Sequence, residues 1–200
     1  QTHYDLYRAR KNGKAWEQVT ALTTLNTSAD ELYPTLGSSE QDLLFVKRSE
    51  ELGKGKKIVE RYYLMSSSLV HSQWSAPEVI IISQGGDISP VLLADNKTVI
   101  FASSRTTADK KEGNFALFYT QRIDQRNWYQ PQLILAPENK NEHYYAPYVK
   151  NFVRQSNVCN VTIGYTHQIC NNRDTSYIAE QLVLPEQFHP QPILTLEGRI

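Results

Sequence analysis

Neither sign of charge is in excess in this chain of 200 residues: Lys and Arg total 21, and so do Asp and Glu. Proteins that grip nucleic acid usually carry a basic surplus, and those held to an anionic membrane surface carry a polybasic run. No nucleic-acid partner is therefore expected. No apolar run approaches the ~20 residues of a membrane helix, so no membrane span is expected either. A cleavable leader is missing, and Gln1 reads as a processed terminus or as the edge of a longer chain. Catalytic signatures are lacking: there is no Gly-x-Ser-x-Gly elbow, phosphate-cradling glycine loop, His-Glu-x-x-His or Ser-x-Asp-x-Gly-x-x-Trp box. On these grounds no cofactor, no metal site and no catalytic residue is assigned. Also absent is any stretch with apolar residues at helical spacing over three turns, so helix should be negligible.

What the chain does hold is tyrosine, 12 residues against 6 Phe and 3 Trp. Tyr, Trp and Thr suit pleated, half-buried surfaces. Short strand candidates recur along the chain: Tyr4–Arg10, Leu43–Lys47, Val59–Met65, Val79–Ile82, Val99–Ser103, Ala116–Gln121, Gln132–Leu135, Val161–Thr166, Tyr177–Gln181 and Pro192–Leu196. Between the second and third, Ser49–Lys57 is polar and holds two glycines, and it reads as a loop. Many short strands without helices point to a sandwich, a barrel or a propeller.

An internal repeat chooses among these. Trp16, Trp74, Trp128 and Phe188 each open a similar segment, at spacings of 58, 54 and 60 residues. An aromatic precedes each one: Tyr7, Tyr63, Phe118 and Tyr177. An acid and then a proline follow the first three, as Glu31 and Pro34, Asp87 and Pro90, Glu142 and Pro147. Phe45 and Phe101 lie 11 residues past the first two prolines, and Val161–Tyr165 stands in their place in the third copy. The unit is a Pro-led strand, an apolar strand, an aromatic strand and a Trp-led strand. Four strands in about 55 residues make a propeller blade with generous loops. Blades stack between neighbours, which fits second strands that are apolar on consecutive positions. The fold class expected is all-β, a propeller of four-stranded antiparallel blades. Its parts are a half blade at 1–30 and blades at 31–82, 87–136 and 142–200. Three and a half blades fall short of the roughly 4–8 of closed rings. Further strands are expected from the rest of a longer chain or from a second copy.

Asp5-Leu-Tyr7 with Trp16, Asn26–Pro34, Leu43-Leu-Phe45, Asp87-Ile-Ser-Pro90 and Phe101–Arg105 resemble the PD40 repeat, the WD40-like repeat of TolB-type propellers. The third copy departs from it, with Asn151–Asn157 in place of a tight turn and His167 where Arg105 stands. The resemblance implies a periplasmic or extracellular protein that acts as a binding or scaffold module for a protein or carbohydrate ligand. Relatives of this kind also include enzymes, so a propeller glycoside hydrolase or lyase is the alternative.

Cys159 and Cys170 flank the apolar strand Val161–Thr166. Redox or metal chemistry, two free thiols, and a structural disulfide are all open to them; no Cys-x-x-Cys or further zinc ligand is in reach. The reading carried forward is the disulfide, which suits export and would contribute roughly 3 kcal/mol by loop closure.

The candidate ligand site is the set of acids that open the Pro-led strands, Glu31, Asp87 and Glu142, with His143, Tyr144 and Tyr145 beside the last. First strands line the channel of a propeller, so these carboxylates could converge at its mouth, bind a cation or serve a glycosidase. The plainer reading is that each acid accepts backbone bonds in its own turn. Exposed Tyr rings would suit sugar stacking, and packing between blades would use the same rings. Arg48 and Arg105 end the apolar strands, where each is expected to pair with an acid of a neighbouring blade.

Overall fold

A computed structural model describes residues 3–53, 56–81, 86–106, 113–124, 127–155, 158–170 and 175–183, with side chains at 151–160, 175–178 and 180–183 left out of the description. The strands are β1 (Tyr7–Asn12), β2 (Ala15–Ala21), β3 (Asp30–Leu36), β4 (Asp42–Leu52), β5 (Ile58–Val70), β6 (Gln73–Trp74) and β7 (Glu78–Ile81). After them come β8 (Asp87–Leu92), β9 (Thr98–Ser103), β10 (Ala116–Gln121), β11 (Gln132–Leu135), β12 (Glu142–Gln155), β13 (Val158–Ile169) and β14 (Thr175–Val183). No α-helix occurs among the described residues. The protein is all-β, built of antiparallel sheets that do not close on themselves.

A two-stranded hairpin, β1-β2, leads the chain. The first large sheet runs β3-β4-β5, with β6 and β7 both on β5. The second runs β8-β9-β10-β11, and the third β12-β13-β14. Phe188 and the strand candidate Pro192–Leu196 lie outside the described residues.

Three apolar clusters hold the sheets face to face. Leu44, Val46 and Leu64 of the first sheet pack on Val99, Phe101, Phe118 and Trp128 of the second. Ile100, Leu117 and Tyr119, on the other face of the second sheet, pack on Tyr144, Val161, Ile163 and Tyr165 of the third. Leu6 and Leu25 pack on Leu43, Phe45 and Met65, on the outer face of the first sheet. The second sheet is therefore covered on both sides, and all six residues of β9 are buried. This is why β9 reads as a continuous apolar run and not as an alternation. Phe101 and Phe118 stack at 6.2 Å, and each fully buried ring contributes roughly 2–3 kcal/mol.

One local device recurs in all three large sheets. Between β3 and β4 the register skips from Leu32–Val46 to Thr35–Leu44. Between β8 and β9 it skips from Ile88–Ala102 to Val91–Ile100. Between β12 and β13 it skips from Tyr145–Thr166 to Tyr148–Gly164. In each case two residues, the second a proline, face one buried aromatic: Phe45, Phe101 or Tyr165. The residue before the proline has positive φ: 52° at Tyr33, 51° at Ser89 and 42° at Ala146. A β-bulge of this kind sharpens the twist where the first strand turns away, and proline fits because the ladder is already interrupted.

Two segments are more regular than their sequence implies. Ser49–Leu52 continues β4, and β5 begins at Ile58. Gly53 falls just past β4 and does not break it; its N–H donates to the Lys57 carbonyl at 2.8 Å. In the third sheet the residues that depart from the repeat extend both strands, giving a hairpin of 14 and 12 residues.

That extension also separates the cysteines. Cys159 lies near the start of β13 and Cys170 immediately beyond its end. Eleven residues of extended chain place their Cα atoms about 36 Å apart. A disulfide needs Cα atoms within roughly 7 Å. The expected Cys159–Cys170 bond is not formed, and Cys170 is a free thiol.

Candidate functional site

In each large sheet the acid that opens the first strand meets a basic side chain in or just past the second: Arg48, Arg105 or His167. The antiparallel hairpin brings these two ends together. In the first sheet Asp30 stands opposite Arg48 in the register. Arg48 donates Nε to Asp30 Oδ2 at 2.8 Å and adds a second bond from its terminal nitrogen. The Tyr4 N–H reaches Asp30 Oδ1 at 3.0 Å. The Tyr4 amide first, and Arg48 second, hold the Asp30 carboxyl below the usual carboxylate range. The Arg48 guanidinium is in turn pushed up, chiefly by its bond to Asp30. Glu31, one residue on, is buried and turned to its own loop. The Thr27 hydroxyl donates to its Oε1 at 2.7 Å and the Thr27 N–H to its Oε2 at 3.1 Å.

In the second sheet Asp87 is wholly buried, and one terminal nitrogen of Arg105 lies 2.7 Å from each of its oxygens. The guanidinium carbon is 5.2 Å from the Phe101 ring centre and 5.3 Å from that of Phe118. Arg105 Nε also donates to the Ser103 hydroxyl at 3.0 Å. The cation thus lies against two stacked rings and bonds a hydroxyl and a carboxylate, as a planar delocalised charge permits.

In the third sheet Glu142 receives the Asn139 side-chain amide at 2.6 Å, and His167 Nε2 lies 3.4 Å from its other oxygen. His167 stands edge-on to Tyr144, with ring centres 4.8 Å apart, and Tyr144 packs on Tyr165 at 4.9 Å. His143 points to the opposite face. Its Nδ1 accepts the Phe115 N–H at 3.2 Å, and its ring lies parallel to Tyr145 at 5.5 Å. Phe115 closes that group at 5.1 Å from Tyr145. Burial, and then the neighbouring Cys170, push the Tyr145 hydroxyl up.

The candidate acids Glu31, Asp87 and Glu142 each find a partner close by, in Thr27 of the preceding loop, Arg105 just past β9 and Asn139 of the preceding turn. Arg48 and Arg105 likewise pair with acids of their own sheet, not with a neighbour's as expected. The register explains this, because it already sets strand ends of the same sheet side by side. Tyr144 is buried between sheets, while His143 and Tyr145 form a separate stack with Phe115. No cluster of three or more metal-ligating side chains occurs among the described residues.

Sequence reasoning passed over two links. Asp42, at the start of β4, accepts from Arg122 at 3.1 Å, and Arg122 lies 4.9 Å over Trp128. This ties the second sheet to the first. Asn26 brackets Leu6, accepting its N–H at 2.8 Å and donating to its carbonyl at 3.0 Å. Neither pair is marked by spacing, since the partners are 80 and 20 residues apart.

No family model and no curated protein matches the chain. Among solved structures it is similar to a puromycin-hydrolyzing peptidase of Mycobacterium tuberculosis, at 9% identity and a TM-score of 0.49. That likeness covers 86% of this chain and 30% of the peptidase chain, and at this level it bears on neither fold nor activity.

Proposed function

We propose that the chain is an arc of a PD40-type β-propeller, working as an exported binding or scaffold module without catalytic chemistry of its own. The repeated x-Pro bulge at Tyr33-Pro34, Ser89-Pro90 and Ala146-Pro147 supports the blade reading, as does the face-to-face packing of the sheets. One observation carries the non-catalytic part: two of the strand-opening acids, Asp30 and Asp87, are engaged by arginine within their own hairpins. A carboxylate locked to arginine is a weak base and has no proton to give. Export rests on the family resemblance alone, because the free Cys170 withdraws the support of a disulfide.

The test combines a panel of 4-nitrophenyl glycosides with thermal unfolding of the single variants Glu31→Gln, Asp87→Asn and Glu142→Gln. We expect no turnover by the parent chain and a lowered Tm in each variant. Turnover that disappears in one of these variants while its fold persists would establish the glycoside hydrolase alternative instead.

A further inference from the structure

The second sheet shows what a sheet in this stack requires, since β9 and the first five residues of β10 are buried from both sides. The hairpin β1-β2 has almost none of that cover: no side chain of either strand is buried, and only Ala9 and Ala21 are half-buried. Leu6, at the entry to β1, is buried against Leu25, Leu43 and Phe45. Arg8, Thr20 and Trp74 line a cavity of about 290 Å³ on the same side. Side chains alternate along a strand, so Arg8 and Arg10 share the face of Leu6, and Tyr7, Ala9 and Lys11 share the other. The register sets Ala21 beside Tyr7 and Trp16 beside Lys11. That outer face is bare: Tyr7 is 60% exposed, Trp16 66% and Val19 67%.

One edge of the hairpin is also without a partner strand among the described residues. The Leu22 N–H bonds to the Leu6 carbonyl at 2.9 Å, so even-numbered residues of β1 turn their backbone groups toward β2. Tyr7, Ala9 and Lys11 then turn theirs outward. Among the described residues β1 pairs with β2 alone. The bulge that bends this hairpin falls on β2, at Gln18 and Val19, and leaves β1 regular and able to template another strand.

Charge chooses the occupant. Arg8, Arg10 and Lys11 lie on β1 and Lys14 in its turn, while the Glu17 carboxylate takes the Asn12 amide at 3.1 and 3.2 Å. A second copy pairing on this edge would set Arg and Lys against Arg and Lys, which is unfavourable for cross-strand neighbours. We propose that β1 takes up, by strand addition, an extended protein segment in which acidic residues alternate with apolar ones. Its carboxylates lie beside Arg8 and Arg10, and its apolar side chains cover Tyr7 and Ala9. The main chain supplies affinity and the alternation supplies register and specificity. This deepens the binding-module reading above and rests on it.

The experiment titrates the whole chain with an acetylated, amidated octapeptide of alternating Glu and Val, and with its Lys-Val counterpart. Calorimetry reads binding, and amide hydrogen exchange reads its location. The Glu-Val peptide is expected to bind and to protect Tyr7, Ala9 and Lys11, with the Lys-Val peptide at least about tenfold weaker. The double variant Arg8→Glu/Arg10→Glu is expected to reverse that preference. Ala9→Pro, which removes an outward N–H where edge strands tolerate proline, is expected to lose binding of both peptides. Equal binding of the two peptides, no binding, a preference unmoved by the charge reversal, or protection outside β1 would each overturn the proposal. So would a concentration-dependent dimer protected at β1 in the absence of peptide. None of these outcomes touches the glycoside assay or the carboxylate variants, so the edge can fail while the non-catalytic reading stands.

Discussion

Asp87 and Arg105 show how little of a buried ion pair its residue types disclose. The pair is enclosed, with Asp87 at 0% exposure and the guanidinium lying against both Phe101 and Phe118. Removing one partner leaves an uncompensated buried charge, so Asp87→Asn and Arg105→Gln should each cost about 3–5 kcal/mol in urea unfolding. A loss near zero would mean that the pair is solvated. Asp30 gives a pH signature at the same scale. Its folded-state carboxyl lies below the ordinary value of 3.8, so it is the ionised form that stabilises. That contribution is fully present above the unfolded pKa and is lost as pH falls through the folded one. Between pH 7 and 5, Asp30→Asn should therefore lower stability by a constant amount. Below about pH 4 the difference from the parent chain should shrink. A gap that widens on acidification would refute the assignment. Gly164 is a third case, because a Cβ built there would fall 2.1–2.3 Å from atoms of the Tyr148 ring. Gly164→Ala should cost about 1–3 kcal/mol, and Tyr148→Ala should recover part of it in the double variant.

Strand bounds were legible wherever turn residues enclose a short run: Ala116–Gln121 and Gln132–Leu135 are the limits of β10 and β11. They were not legible where hairpins are long. The glycines of Ser49–Lys57 resemble breakers until the register shows Leu52 opposite Ile58. The same blindness produced the expected disulfide, since two cysteines 11 residues apart look close unless the strand between them is known to be straight. The periodic prolines were visible, but the bulge they mark was not, because positive φ at Tyr33, Ser89 and Ala146 has no residue signature. Of the candidate site, the acids were legible as a repeat, and their partners had to come from the register. The bulge makes its own prediction. At Ser89, φ of 51° is uncomfortable for any residue with a Cβ and worst for a β-branched one. Ser89→Val should lower stability by about 1–2 kcal/mol, while Ser89→Gly should be neutral or gain up to about 1 kcal/mol. If valine is tolerated as well as glycine, the bulge does not constrain the strand.

At the scale of the molecule, stability should follow the stacking order. The second sheet is buried from both faces, the first and third sheets pack against it, and the β1-β2 hairpin is joined to the stack through the flanking Leu6, Leu22 and Leu25. Amides buried in doubly covered strands exchange with solvent only when the whole structure opens, whereas bare edges exchange by local fraying. In a dilute sample, the amides of β9 and β10 should therefore be the slowest and should report the global unfolding free energy. The outward amides of Tyr7, Ala9 and Lys11 should be among the fastest. Breaking the Asp42–Arg122 tie, which joins the first sheet to the second across 80 residues, sharpens the test. Arg122→Gln should speed exchange in β9 and β10 together, because the loss falls on the unit that opens globally, and should leave β1 unchanged. Slow exchange in β1 equal to that in β9, in a sample shown by sedimentation to be monomeric, would mean that residues of the same chain already cover that edge. The stack would then have no open end, and the partner strand proposed for β1 would have no place to bind.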